Sequence, residues 1–372
     1  MNGKMIKYEQ ITGLHLELTT RCNAACPMCA RNFKGKVRDN LEMLDLSLDD
    51  CKKILTHSFL QQLEFISICG VFGDPINNKD LVSIIKYIYA CNDKIYINLY
   101  TNGGIHDERW WKRLAQCLDN GSVIFGIDGI DEVSAIHRRN TDVNIVFRNA
   151  KAFIDAGGNA KWEYIAFKHN QNQIEAAKIL SKKMGFKDFQ VKKTSRFFKN
   201  LFEEDESLDS TIMPYGQHPI YDNHGNITGF LELPDEKYRN SCEGDLLKKI
   251  QEYNSLENYY DCVDINCQAI RTRGIFISSN GDVYPCCTVY QQVCYGKLFG
   301  VIDERELNEY KIWRNYNTSA FEKSIEEIVR GAAFVELQKS WKIKSIICGK
   351  AKSCCRTCGE SINMHKAQHG IG

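Results

Sequence analysis

The sequence predicts an α/β fold. It is an open, partial (β/α)6 barrel of parallel strands, followed by a small cysteine-rich C-terminal domain of a β-hairpin plus helices. Three observations predict it. Short apolar runs alternate with amphipathic helical stretches from residue 14 to about 194. Six such repeats are too few to close an eightfold barrel. The last hundred residues then change character, with Asn280-Gly281 between two apolar runs and many cysteines around them.

The elements follow in order. Residues 14–18 place Leu at every second position, the period of a strand. Ser47 with Asp50 three residues later is a capping box, opening a helix through about residue 59. Residues 63–69 read as a buried strand. Residues 79–91 read as a helix with Leu81, Ile84, Ile85 and Ile88 on one face. Strand 95–100 and helix 106–118 form the next pair. Strand 123–127 precedes helix 144–156, which Gly157-Gly158 stops. Strand 162–167, helix 173–184 and strand 186–191 complete the series. This first domain is taken as 1–195. Residues 196–261 lose the pattern and read as an irregular linker, with a hairpin at 223–233 and the role of a substrate lid. The acidic run Glu203-Glu204-Asp205-Glu206 within it reads as a solvated loop. The C-terminal domain is taken as 262–372, with its hairpin at Asn280-Gly281 and helices at about 318–330 and 332–341.

The chemistry concentrates directly after the first strand. Cys22, Cys26 and Cys29 are separated by three and two residues. A short loop with that spacing wraps three thiolates round one inorganic cluster. A cubic [4Fe–4S] cluster normally takes four, so one iron is left open, as the fourth position is in a three-ligand zinc site. The bland alternatives are a zinc knot or scattered buried thiols. This loop resembles that of the radical SAM enzymes, whose open iron chelates S-adenosylmethionine. In that family one electron cleaves the cofactor to methionine and a 5′-deoxyadenosyl radical, which abstracts hydrogen from the substrate.

The resemblance extends to later strand ends. Gly70-Val71-Phe72-Gly73-Asp74-Pro75 stands where the family usually has Gly-Gly-Glu-Pro, and Thr101-Asn102-Gly103 follows the third strand. Asp128-Gly129 and then His137-Arg138-Arg139 follow the fourth, with Gly126 where a Ser is common. The resemblance implies cofactor contacts at Met28, Gly73, Asp74, Pro75, Thr101 and Arg138. The C-terminal cysteines resemble the SPASM and twitch auxiliary-cluster domains. This implies one auxiliary [4Fe–4S] cluster on Cys267, Cys286, Cys355 and Cys358. Cys348 and Cys354, helped by Cys262, Cys287 or Cys294, are the candidates for a second. Ser345 stands at one ligand position of the longer pattern, and no Cys follows Cys358. No residue stands out as a proton acceptor or hydrogen-atom donor.

Composition narrows the partners. Lys and Arg number 48 against 47 Asp and Glu, a net charge of +1. That removes the electrostatic case for nucleic acid or an anionic membrane. No apolar run reaches the length of a membrane span, and the N-terminus lacks a signal-peptide core, so a cytoplasmic protein is expected. Seventeen cysteines in a reducing compartment point to metal or cluster ligation more than to disulfides. The expected reaction is modification of a ribosomally made peptide or protein. About thirteen residues precede the first strand, so a leader-gripping domain is not expected ahead of it. A separate leader-binding protein, or capture by the linker, takes its place. An electron donor such as flavodoxin or ferredoxin is implied. The alternatives are a small-molecule dehydrogenase or epimerase, and a non-enzymatic iron–sulfur or zinc binding module.

Overall fold

In the computed structural model the described residues are 6–198, 216–299 and 308–359. The strands, in chain order, are β1 (Gly13–Leu16), β2 (Asn32–Phe33), β3 (Lys36–Val37), β4 (Phe65–Ile68), β5 (Tyr96–Thr101) and β6 (Gly121–Gly126). They continue as β7 (Ala160–Ile165), β8 (Asp188–Lys192), β9 (Gln217–Tyr221), β10 (Ile227–Glu232), β11 (Gly274–Ile277) and β12 (Val283–Tyr284). The fold is α/β with mostly parallel strands, as the alternation predicts. The chain gathers into two compact units. The first draws on Met1–Thr20, Glu42–Ile97 and Gly244–His365, the second on Arg21–Leu41 and Asn98–Glu243. β5 carries the chain from the first to the second.

In the first unit the strand order is β12-β11-β1-β4. β1 pairs in parallel with β4, from Gly13 opposite Phe65 to Leu16 opposite Ile68. It also pairs in parallel with β11, from Gly13 opposite Gly274 to Leu16 opposite Ile277. The Asn280-Gly281 hairpin forms as predicted, with β11 and β12 antiparallel and Gly281 at φ +81°. It also covers an edge of β1, which the sequence does not announce. Leu14, Leu16, Ile66, Ile68, Ile275 and Ile277 are all buried and, at alternate positions in register, form one apolar face of the sheet. Ser47 and Asp50 make the capping box. The helix it opens stops at Ile54 rather than near 59. Leu55 leaves helical geometry, and Thr56 caps a second helix, His57–Gln61, by accepting from the Phe59 amide.

In the second unit β6, β7 and β8 pair in parallel. Among the described residues β8 pairs with β7 alone, so the sheet ends there and stays open. Trp111, Phe125, Phe153, Trp162 and Phe186 pack ring against ring behind it. Gly185, at φ +95°, ends the helix Ile174–Met184 in left-handed geometry.

The stretch read as irregular is more regular than its composition suggests. β9 and β10 form an antiparallel ribbon, and helices run over Cys242–Tyr253 and Leu256–Cys262. The hairpin turn sits at 222–226, where Asp222 Oδ1 accepts from the His224 and Asn226 amides. Pro219 lies within β9, a place open to proline because the ribbon has only two strands. The acidic run at 203–206 lies outside the described residues. Among the described residues no helix is long and apolar enough to cross a membrane.

Candidate functional site

The three-cysteine loop curls through its own backbone. The Cys29 amide donates to the Cys26 carbonyl at 3.1 Å, and the Asn32 amide to the Cys29 carbonyl at 3.0 Å. Asn32 Nδ2 closes the turn on the Cys26 carbonyl at 3.0 Å. Cys22, Cys26 and Cys29 are each partly exposed. Asn102 reaches the loop from the turn after β5. Its Nδ2 lies 3.7 Å from Cys22 Sγ and donates to Asn23 Oδ1 at 3.0 Å, while Asn23 Nδ2 donates to Asn102 Oδ1 at 3.3 Å. Sequence reasoning singled out Thr101 here, yet Thr101 Oγ1 accepts from the Gly103 amide within the turn. The signal for Asn102 was present in Thr-Asn-Gly, but nothing in the sequence shows which side chain faces the thiol.

Arginines stand near the loop. Burial pushes the Cys26 thiol up to about 11, and the Arg138 guanidinium opposes that rise. Burial draws Arg31 below its ordinary value, while Cys22 and Cys29 pull it back up. Arg196 Nη1 donates to the Met28 carbonyl at 2.9 Å and also favours charge on Cys26. Guanidinium groups round thiols favour thiolate, the form that ligates metal.

Arg138 is held from below. Asp128, fully buried, accepts from Arg138 Nε at 2.6 Å, from His137 Nδ1 at 2.7 Å and from the Ile165 amide at 2.7 Å. Burial would raise its carboxyl, but Arg138 and His137 outweigh it and hold it at about 2. A Cβ at position 126 would stand 2.5 Å from Arg138 Nη2. Gly126 therefore makes room for the guanidinium. Met28 packs with Phe167, Phe197 and Leu231. The β9–β10 ribbon rests on the same loop, with His218 Nε2 bonded to the Pro27 carbonyl at 3.0 Å and Arg139 donating to the Tyr221 carbonyl.

Gly73, Asp74 and Pro75 lie in the first unit, after β4. Asp74 Oδ1 accepts from the Ile76 amide at 3.2 Å and caps the short turn Pro75–Asn77. A Cβ on Gly70 would lie 2.2 Å from the Gly73 carbonyl oxygen, so the loop closes on itself only with glycine there. Phe72, which stands where the family has glycine, is 1% exposed and sets its ring edge-on to Tyr290. The Val71 and Phe72 amides both donate to Glu17, a residue sequence reasoning passed over.

The C-terminal cysteines do not all meet. Cys267, Cys286, Cys354 and Cys358 line one small cavity of about 20 Å³, with Leu337 and Trp341. Burial pushes Cys267 up to about 11 and Cys286 and Cys354 well above the ordinary thiol value. Cys355 is absent from that lining. Burial lifts its thiol to about 12, and the charges acting on it are Lys350, Glu309 and Asp261. Cys354 and Cys358 are four apart on the helix Lys352–Cys358 and both line the cavity; Cys355, on the other side of Cys358, does not. Of the residues considered for a second cluster, Cys262 and Cys348 are exposed and Cys287 and Cys294 partly buried; Cys287 is within reach of Glu17's charge, and Cys294 bonds to Tyr290. Among the described residues, no three His, Cys, Asp or Glu side chains stand at the spacing that holds a single metal ion. A cubic cluster takes one thiolate per iron corner, so its ligands ring a cavity instead of converging on a point.

Residues 16–180 match the Radical SAM superfamily. No curated protein sequence matches the chain. Among solved structures it is similar to SuiB of Streptococcus suis, at 15% identity and a TM-score of 0.51, covering 86% of this chain and 65% of SuiB. It thus spans just under two thirds of that chain. A SuiB structure bound to S-adenosylmethionine matches at 15% identity and a TM-score of 0.50, covering 92% of this chain and 77% of that one. Native anSMEcpe with bound AdoMet matches at 19% identity and a TM-score of 0.50, covering 95% and 93%. At such identities the likeness is one of fold.

Proposed function

Since residues 16–180 form a radical SAM domain, we propose that this chain reductively cleaves S-adenosylmethionine and takes hydrogen from a ribosomally made peptide or protein. When bound, a [4Fe–4S] cluster with one open iron supplies the electron for that cleavage. Cys22, Cys26 and Cys29 hold it. Asn102 and Asn23 orient Cys22, while Arg138 and Arg196 oppose the rise that burial imposes on Cys26. Met28, Gly73, Asp74, Pro75, Thr101 and Arg138 contact the cofactor. Cys267, Cys286, Cys354 and Cys358 hold one auxiliary cluster, with Cys354 in the place the sequence pattern assigns to Cys355. A one-electron donor of the flavodoxin or ferredoxin kind serves the enzyme, and a leader-binding protein presents the substrate.

One observation carries this reading. Three cysteines on one loop after a parallel strand stand near the guanidinium groups of Arg31, Arg138 and Arg196. A zinc site of the same ligands has no need of an uncovered fourth position. The peptide substrate is supported by the auxiliary cysteine cavity and by the ribbon that rests on the cluster loop.

The test is release of 5′-deoxyadenosine by anaerobically reconstituted protein with a reductant. Cell extract split by a size filter serves as substrate source, and a Cys22/Cys26/Cys29→Ala triple variant as control. Release that depends on the cysteines and rises with the retained fraction is expected. Equal release by the control ends the radical reading. A rise with the filtrate alone moves the substrate to a small molecule.

A further inference from the structure

We propose that Glu17 is a positioning residue of the cofactor loop. It holds the 70–75 backbone in its binding conformation and, through Tyr290, ties that loop to the segment carrying the auxiliary cysteines. This rests on the reading of 70–75 as a contact for S-adenosylmethionine.

Glu17 leaves the end of β1 and is fully buried. Its Oε1 accepts from the Val71 amide at 2.6 Å and from the Phe72 amide at 2.8 Å. Two successive amides turned onto one oxygen make an anion-binding concavity. Here its occupant is part of the chain. The loop bends round the carboxyl tightly enough that Gly70 has no space for a Cβ. Behind it, the Phe72 ring meets Tyr290 at 5.7 Å, and Tyr290 stacks on Phe276 at 4.8 Å. Tyr290 also favours the ionised form of the same carboxyl, against the rise that burial imposes. Tyr290 belongs to the helix Cys287–Phe299, which begins one residue after Cys286.

A carboxyl group is a costly filler for a buried site. An apolar side chain fills the same space at lower cost but leaves the Val71 and Phe72 amides without an acceptor. A buried donor stripped of its partner costs about 1–3 kcal/mol. The loop then relaxes from the shape its glycines permit.

The experiment compares Glu17→Leu, Glu17→Gln and Tyr290→Phe in the iron-loaded protein. Gln keeps the acceptor oxygen, Leu removes it, and Phe removes only the hydroxyl. Three readouts are taken: equilibrium binding of S-adenosylmethionine without reductant, KM against kcat for 5′-deoxyadenosine release, and amide exchange across 70–75. Leu is expected to raise Kd and KM roughly tenfold or more, with a smaller change in kcat and faster exchange at 71 and 72. Gln is expected to stay within about threefold and Phe to raise Kd by about two- to threefold. Wild-type affinity in a fully loaded Leu variant overturns the proposal, as does equal damage by Leu and Gln. Should Leu prevent iron loading, an unchanged Kd in the Phe variant overturns the link. A wild-type protein that releases no 5′-deoxyadenosine is instead a failure of the functional reading.

Discussion

Asp128 and Glu17 are both fully buried carboxyls, and they predict opposite responses to pH. Asp128 is held at about 2, below its ordinary 3.8, because Arg138 and His137 outweigh the cost of burial. Its contribution is complete above about pH 4 and is lost as pH falls toward 2, roughly 2 kcal/mol in all. Asp128→Asn leaves Arg138 without its partner and is expected to cost roughly 3–5 kcal/mol, read as a shift in urea midpoint. A midpoint that stays put removes Asp128 from the support of Arg138. Glu17 is pushed up to about 7 from 4.5, chiefly by burial. The folded state keeps a proton that the unfolded chain releases between those values. Its contribution is therefore complete below about pH 4.5 and declines as pH rises toward 7, by roughly 3 kcal/mol. Glu17→Gln is expected to gain on the wild type between pH 5 and pH 8 in paired thermal melts. Parallel melts at the two pH values contradict this.

At the scale of elements, the helix Lys352–Cys358 decides which cysteines share a cavity. A repeat of 3.6 residues sets Cys354 and Cys355 on opposite sides of Cys358, about 40° and about 60° from it, and the cavity lies on the Cys354 side. Cys354→Ala is expected to remove the auxiliary iron while Cys355→Ala keeps it, judged by iron content and the spectrum of the reduced protein. Loss of iron in the Cys355 variant alone restores the spacing inferred from the motif. The loop after β4 offers a second test. Gly70→Ala drives a Cβ into the Gly73 carbonyl, an overpacking worth about 1–3 kcal/mol. It is expected to lower both the melting temperature and the affinity for S-adenosylmethionine, and unchanged values show that the loop yields. Local signals located these elements well. The Ser47 capping box, Gly185 and the Asn280-Gly281 turn each act within a few residues. The split at Thr56 escaped notice because a second cap inside a helical pattern resembles its continuation.

For the whole molecule the countable quantity is iron. One cluster on the loop and one in the C-terminal cavity amount to roughly eight iron atoms per chain, falling to roughly four in the Cys22/Cys26/Cys29→Ala variant. About four in the wild type and none in the variant dispenses with the auxiliary cluster, and about twelve in the wild type calls for a second auxiliary cluster.

The sequence by itself determined the α/β class, the alternation of strands and helices from 14 to 194, and the three-cysteine loop, because periodicity, caps and close cysteine spacing are local properties. Only the tertiary structure decided which groups meet. It brought Asn102 to Cys22 across 80 positions and Glu17 to Phe72 across 55. It set β11 beside β1, and it opened the space above Gly126 for Arg138. Contacts between distant residues depend on how packed elements close on one another, and no spacing along the chain records that.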